Sequence, residues 1–419
     1  MREALLIAIV LIAASVAVFR PLIGLYAYVW FALMRPDYLS WSAGKYPYSF
    51  VLAIATLIGT LPHLPLAARL FQNPISRWLI ILQIPIGLSV LFAVSPELSY
   101  DAYSAYVNII IMALLIPILA NDARHLRGMI LVAAASIGVI GAKFGVWALL
   151  LGGGRFSTGF GGFLSDNNNL ALALAMGIPL LWYGRSLTPM KWLRITLLVL
   201  LVGSVSAIIM SYSRGGALAL AVVVVLISWR LRARAVLMLV LFIAPPIYLM
   251  RGTYFDRLAT IASPNDESSA HARLVYARTA IKMWRDYPML GVGFGTLNQL
   301  ALWHQYLHAD IAGGPQVVHN TYLQMLTDSG LIACLLHIAV LFGTIAWLGR
   351  SITYTRQYEP GLEGVPAALQ TSLIAFAVGS TFLSRVSLDI YYMVLMMAAS
   401  WYLVQGSSED DEIVYTTAN

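Results

Sequence analysis

Three side chains have the types and settings that chemistry needs. Arg214 lies in SYSRGG (211–216), between two apolar runs, with small neighbours that leave its guanidinium accessible. A planar fork of donors suits bidentate binding of phosphate oxygens, and a cation near a membrane boundary, costing up to about 3 kcal/mol at full depth, calls for a partner. Arg273 lies in HARLVYARTAIKMWRDYP (271–288), which reads as a helix stopped by Pro288. At about 100° per residue, Leu274, Ala277, Ile281 and Trp284 make an apolar stripe, with Arg278, Lys282 and Arg285 opposite. Arg273 falls within about 20° of Trp284, on the face turned toward protein or lipid. His319 stands in VVHNTYLQMLTDSG (317–330), where a long loop passes into an apolar helix. An imidazole at that boundary can titrate near the operating pH, and a helix N-terminus favours its neutral form, as a general base requires.

Other residues carry weaker signals. Lys143 in GAKFG and Arg155 are second-rank cations for an anionic substrate, with snorkelling to the interface the alternative for Lys143. Arg278 reads first as part of a solvated basic face. The run GVGFG (291–295) lacks the strand-to-helix context of a nucleotide site and reads as a tight turn. His304 and His308 are spaced i, i+4, but no third ligand completes a metal set. His337 reads as a packed residue within a helix, the Asp166–Asn169 segment as a helix cap, and Arg385 with Asp389 as an i, i+4 ion pair. No metal site and no cofactor site is expected.

The elements that must hold these residues are membrane helices. Of 419 residues, 60% are hydrophobic and only 11% charged, against about 25% in a soluble domain, and the mean hydropathy is +0.78. Such a chain has too little polar surface for water, which excludes a soluble enzyme, a disordered scaffold and a nucleic-acid-binding domain. Apolar runs at about 3–19, 21–34, 48–66, 75–95, 102–120, 127–151, 166–184, 191–212, 215–230, 234–250, 319–348, 367–385 and 388–405 predict an all-α polytopic membrane protein of 12 or 13 transmembrane helices. The first two runs are short and read as one broken element, and the N-terminal run as a retained span. This divides the chain into an N-terminal bundle (1–250), a large extramembrane loop with its own helix (251–318), C-terminal spans (319–405) and an acidic tail (406–419). The single cysteine, Cys334, excludes an intrachain disulfide.

Charge orients the bundle. One alternating set of loops carries Arg69, Arg77, Arg124, Arg127, Arg185, Lys191, Arg194, Arg230, Arg232, Arg234, Arg350 and Arg356. The opposite short loops carry only Arg155, Arg214 and Arg385. The positive-inside rule puts the first set and the C-terminus in the cytoplasm. Arg155, Arg214 and the segment 251–318 then share the outer face, where distant helix ends can build one site. A transporter of an anionic lipid-linked substrate is the competing class, but it favours charges near the midplane and repeated halves, and neither is visible.

The motifs SYSRGGALAL (211–220), R-x4-R-x5-W-x3-P-x2-GVGFGTL (273–297) and HNTYLQMLTDSGL (319–331), in this order, resemble the bacterial O-antigen ligase superfamily, which also includes O-antigen polymerases. The segment FRPLIGLYAYVWFALMRPDYLSW (19–41) is similar to the subgroup found beside exosortase systems. The resemblance implies a metal-independent glycosyltransferase of the bacterial inner membrane, without a cofactor. Its partners would be membrane lipids, an undecaprenyl-pyrophosphate-linked glycan as donor and lipid A-core as acceptor, meeting on the periplasmic side. By motif, the essential arginines and histidine of the family fall on Arg214, Arg273 and His319. Polymerases and protein O-glycosylating ligases of the same superfamily differ in acceptor rather than chemistry.

Overall fold

The computed structural model describes residues 2–39, 46–150, 166–231, 268–306 and 317–417. Among the described residues the chain is all-helical, without a β-strand. In chain order the main helices are α1 (Arg2–Phe19), α2 (Pro21–Met34), α3 (Tyr48–Thr60), α4 (Pro74–Leu91), α5 (Pro96–Leu119), α6 (Ala123–Leu150) and α7 (Asn167–Gly184). They continue with α8 (Lys191–Met210), α9 (Arg214–Leu231), α10 (Ser268–Asp286), α11 (Leu300–Tyr306), α12 (Thr321–Tyr358), α13 (Gly364–Gly379) and α14 (Asp389–Thr417).

Prolines set several boundaries. Pro21, Pro74 and Pro96 open their helices, where a missing N–H costs nothing. The first two helices are separated by Arg20 alone, so the broken element expected at the N-terminus is two abutting helices. Pro62 and Pro65 turn the end of the third apolar run into a 3-10 segment, Leu61–Ala68.

Among the described residues, seven helical stretches are long and apolar enough to cross a membrane, with two shorter apolar helices, Pro21–Met34 and Gly364–Gly379. That is fewer than the 12 or 13 spans expected. The run 234–250 lies outside the described residues, as do Arg155, the rest of 232–267 before α10, and 307–316. Large apolar side chains face outward along the long helices, Ile12 and Ile195 among them. In water such a surface would be an aggregation liability; in lipid it is the expected exterior. The protein is a multi-pass membrane protein.

The helix α7 is buried almost all round, from Asn167 to Gly184, by α6, α8, α9 and α13. Residues 390–401 of α14 are buried likewise. Small residues permit the close approaches: a Cβ at Gly145 would meet the Gly203 carbonyl at 2.1 Å, joining α6 to α8. The basic loops lie at the other end from the candidate residues, and Arg230 there donates to Thr371 at 2.7 Å and to the Ala367 carbonyl at 3.2 Å.

One expectation fails within α12. The apolar run was read as a single helix, but Gly330 (φ 80, ψ −178) breaks it into a short N-terminal piece and a long helix. The break is filled by the loop before GVGFG: Leu331 donates to the Pro288 carbonyl at 3.0 Å. A Cβ at Gly330 would stand 2.0 Å from the Met289 oxygen, so only glycine fits.

Candidate active site

The site is assembled at one end of the bundle by hydrogen bonds between connections far apart in sequence. Arg214 is the first residue of α9, set by a sharp turn in which Tyr212 takes a left-handed conformation (φ 53). The Ser213 hydroxyl caps α9 by accepting from Gly216 N at 3.2 Å. Asn167, at the start of α7, donates to the Ser211 carbonyl at 2.8 Å and locks the two helix ends together. Asp166 caps α7 through Asn169 N, as its sequence setting implied.

His319 is also left-handed (φ 53), a conformation that a non-glycine residue keeps only when its surroundings impose it. The next residues are clamped to the α13–α14 connection. Asn320 N donates to Ser384 Oγ at 3.1 Å, and Thr321 N to the Ser380 carbonyl at 2.8 Å. The Thr321 hydroxyl donates to the Leu383 carbonyl at 2.6 Å and accepts from Arg385 N at 3.0 Å. Asn320 caps α12 through Leu323 N. On the other side of His319, Val318 belongs to a separate small core with Tyr276, Met283, Val292, Leu297 and Trp303.

That small core corrects the orientation of α10. Its buried stripe is Tyr276, Thr279, Ala280 and Met283, with Tyr276 edge-on to Trp303 at 5.5 Å. Leu274 and Ile281, expected to face inward, are exposed at 51% and 36%. Both stripes fit a helical period; the aromatic contact to α11 and the Thr327–Ala280 hydrogen bond select one. Arg278, Lys282 and Arg285 are exposed, as expected. Arg273 lies at the margin of the buried face, half-buried.

In this orientation Arg273 lies within electrostatic range of both Arg214 and His319. Arg273 is close enough to Arg214 for its pKa to be lowered, first by burial and then by that neighbouring positive charge. His319 is depressed below the usual imidazole value by burial and then by Arg273, with Asp166 opposing. The imidazole is therefore held toward its neutral form, with the Arg273 guanidinium within electrostatic range of it and of Arg214. Three helix N-termini, of α7, α9 and α12, meet at this end and add their partial positive charge.

The secondary candidates are not gathered in the same way. Arg278 points away from the buried face, and Lys143 is exposed on α6. Neither lines the cavity beside His319. Arg155 lies outside the described residues. Among the described residues, no group of three His, Cys, Asp or Glu side chains is arranged to hold a metal. His308 lies outside the described residues, and His304 is exposed on α11. His337 is packed against Tyr391, ring centroids 5.5 Å apart.

The GVGFG segment is a structural clasp. Gly291, Gly293 and Gly295 all have positive φ, and the amides of Val292 and Gly293 donate to the Thr327 and Asp328 carbonyls at 2.9 and 3.0 Å. Val94 donates to the Val292 carbonyl, and the Ser99 hydroxyl to the Phe294 carbonyl. Those amides are spent on protein carbonyls, which leaves no phosphate cradle in the turn.

A cavity of about 420 Å³ opens next to His319. Its polar wall includes Asp166, Asn168, Gln324, Asp328, Arg385 and Ser387. Sequence reasoning missed Gln324 and Asp328 and read Arg385 only as a partner of Asp389. An acid within an apolar run was the available signal for Asp328. Burial lowers the Arg385 pKa, while Asp166 and then Asp389 oppose that shift; Asp389 is also within electrostatic range of Arg35. Among the described residues the expected Arg385–Asp389 ion pair is not formed as a direct salt bridge; the two groups are in electrostatic range within a longer series of charges.

Residues 199–338 match the family model described as O-antigen ligase. The likeness to O-antigen ligases is confined to that segment. The match to this ligase domain encloses Arg214, Arg273 and His319, whereas Asp166 and Arg385 come from outside it. Residues 1–183 match a family of unknown function. No curated protein matches the chain. The matched segment therefore shares the cavity beside His319 with Asp166, which caps α7, and with Arg385, on the α13–α14 connection.

Proposed function

We propose that this protein is a metal-independent, inverting glycosyltransferase of the bacterial inner membrane. It transfers a polysaccharide from undecaprenyl pyrophosphate to lipid A-core at the periplasmic face. The observation that carries the reading is the position of Arg273, within electrostatic range of both Arg214 and His319. Two guanidiniums held near one another repel; a diphosphate between them converts that repulsion into attraction. The same pair offsets the charge that grows on the leaving group as the anomeric C–O bond breaks.

His319 serves as general base. Its imidazole takes the proton of the acceptor hydroxyl as that oxygen attacks the anomeric carbon opposite the leaving group. A new C–O bond forms, the bond to the phosphate oxygen breaks, and its electron pair leaves with the lipid diphosphate. The proton remains on the imidazolium until released to solvent. The depressed pKa of His319 suits this role, because the base is neutral at physiological pH. The periplasm offers no nucleotide sugar, so a donor with its own lipid diphosphate fits the site's location. That location rests on the positive-inside asymmetry of the loops, which also assigns 251–318 to the periplasm and the C-terminus to the cytoplasm.

The test is transfer in vitro with purified protein, lipid-linked glycan and a choice of lipid A-core, peptide or second glycan, with and without a chelator. Transfer to lipid A-core that survives chelation is expected. Transfer only to peptide or to a second glycan would replace the acceptor, and loss with chelator would overturn the metal-free mechanism.

A further inference from the structure

The cavity beside His319 is chemically unlike the arginine side of the site. Neither Arg214 nor Arg273 is among the residues that line it. Its wall instead carries two carboxyl groups, Asp166 and Asp328, carboxamides, two hydroxyls and a single guanidinium, Arg385. That guanidinium is already within electrostatic range of Asp166 and Asp389. The two carboxyl groups on this wall disfavour a phosphate or a sugar acid there, in contrast to the arginine side. Side chains that accept and donate in several directions, beside the aromatic Phe294, are the chemistry that binds neutral, hydroxyl-rich rings.

The wall is also built rather than incidental. Asp328 is 1% exposed and held by Leu297 N at 3.0 Å and by Gln324 Nε2 at 3.3 Å. Gln324 has its carboxamide oxygen buried without a hydrogen-bond partner. A buried acceptor left unmatched is costly, and Gln324 is one of the residues that line the cavity.

The geometry points to this cavity as the acceptor-sugar subsite, which receives a neutral pyranose whose hydroxyl is presented to His319. The inference rests on the transferase reading above and adds a division of the site. The donor diphosphate lies with Arg214 and Arg273 on one side of the imidazole, and the acceptor ring lies with Gln324, Asp328 and Asp166 on the other.

The experiment measures initial rates of the purified full-length protein with donor and acceptor varied separately. Gln324→Ala is expected to raise the acceptor KM about tenfold or more and leave the donor KM unchanged. Ser387→Trp, a filling substitution on the α13–α14 connection, is expected to do the same more severely. A neutral oligosaccharide corresponding to the acceptor terminus should inhibit wild-type transfer competitively with acceptor, and the same oligosaccharide with a terminal uronate should inhibit at least tenfold more weakly.

A change confined to the donor KM would assign the cavity to the donor sugar and overturn the proposal. Unchanged constants in both variants would remove the cavity from substrate binding, and equal or stronger inhibition by the uronate would overturn the neutral-sugar assignment. Binding of the neutral oligosaccharide to Gln324→Ala and to wild type, compared by saturation-transfer NMR, gives a readout that needs no turnover; equal binding also counts against the subsite. Absence of transfer by wild type to every acceptor would instead refute the transferase reading.

Discussion

Replacing Thr321 by Val tests whether the clamp behind His319 sets its position. The substitution keeps shape and removes one hydroxyl, which is fully buried, donates to Leu383 O at 2.6 Å and accepts from Arg385 N at 3.0 Å. Each such bond contributes about 0.5–1.5 kcal/mol net, and a buried backbone group left unmatched costs about 1–3 kcal/mol. Leu383 is buried and its carbonyl loses this donor, while the half-buried Arg385 can recover part of its loss from water. The sum is a destabilisation of about 2–3 kcal/mol, concentrated on the connection that orients His319 and Arg385. A displacement of about 1 Å at a reacting group costs on the order of 100-fold in rate. The transfer rate is therefore expected to fall about 10- to 100-fold, with lowered resistance to unfolding in mixed micelles. Thr321→Ser keeps the hydroxyl and should stay near wild type. A Val variant that unfolds and transfers like wild type would refute the clamp.

Other outcomes follow from the same geometry. His319→Ala and Arg273→Ala, at unchanged protein level, should abolish polysaccharide transfer to lipid A-core in cells; normal ladders on a gel from either variant would remove that residue from the site. Arg214→Lys should be impaired because an ammonium lacks the planar fork, and full activity would leave Arg214 as a snorkelling residue. Transfer should decline on acidification as His319 gains its proton, with the midpoint below the ordinary imidazole value because burial and Arg273 both disfavour the charged form. Arg273→Gln removes the repelling charge, so the His319 pKa should rise toward its ordinary value, as read by NMR titration of the imidazole; a fall or no change would separate the two residues. Gly330→Ala combines a left-handed backbone with a Cβ 2.0 Å from the Met289 oxygen, so a loss of more than about 3 kcal/mol and poor recovery of folded protein are expected.

Much of the candidate site was legible in the sequence. Arg214, Arg273 and His319 stand out because a cation or imidazole at a membrane boundary is costly and therefore conspicuous against an apolar background. The cap at Asp166, the turn at 291–295 and the exposure of Arg278, Lys282 and Arg285 were readable from neighbours within a few residues. Which face of α10 is buried was not, since two stripes satisfy the same period and the choice depends on Trp303 and Thr327, distant in the chain. Gln324 and Asp328 were hidden for a similar reason: their significance comes from a cavity shared with Asp166 and Arg385.

Composition and hydropathy alone determined that this chain folds as helices in lipid, because the cost of burying polar backbone without partners leaves few other solutions. They also singled out the residue types proposed to carry the chemistry. The tertiary structure decided how the pieces meet: the kink at Gly330, the rotation of α10, and the left-handed His319 braced by bonds from Thr321 to Leu383 and Arg385. Those contacts join segments more than sixty residues apart, and local sequence holds no record of them because their energy exists only once the helices have packed.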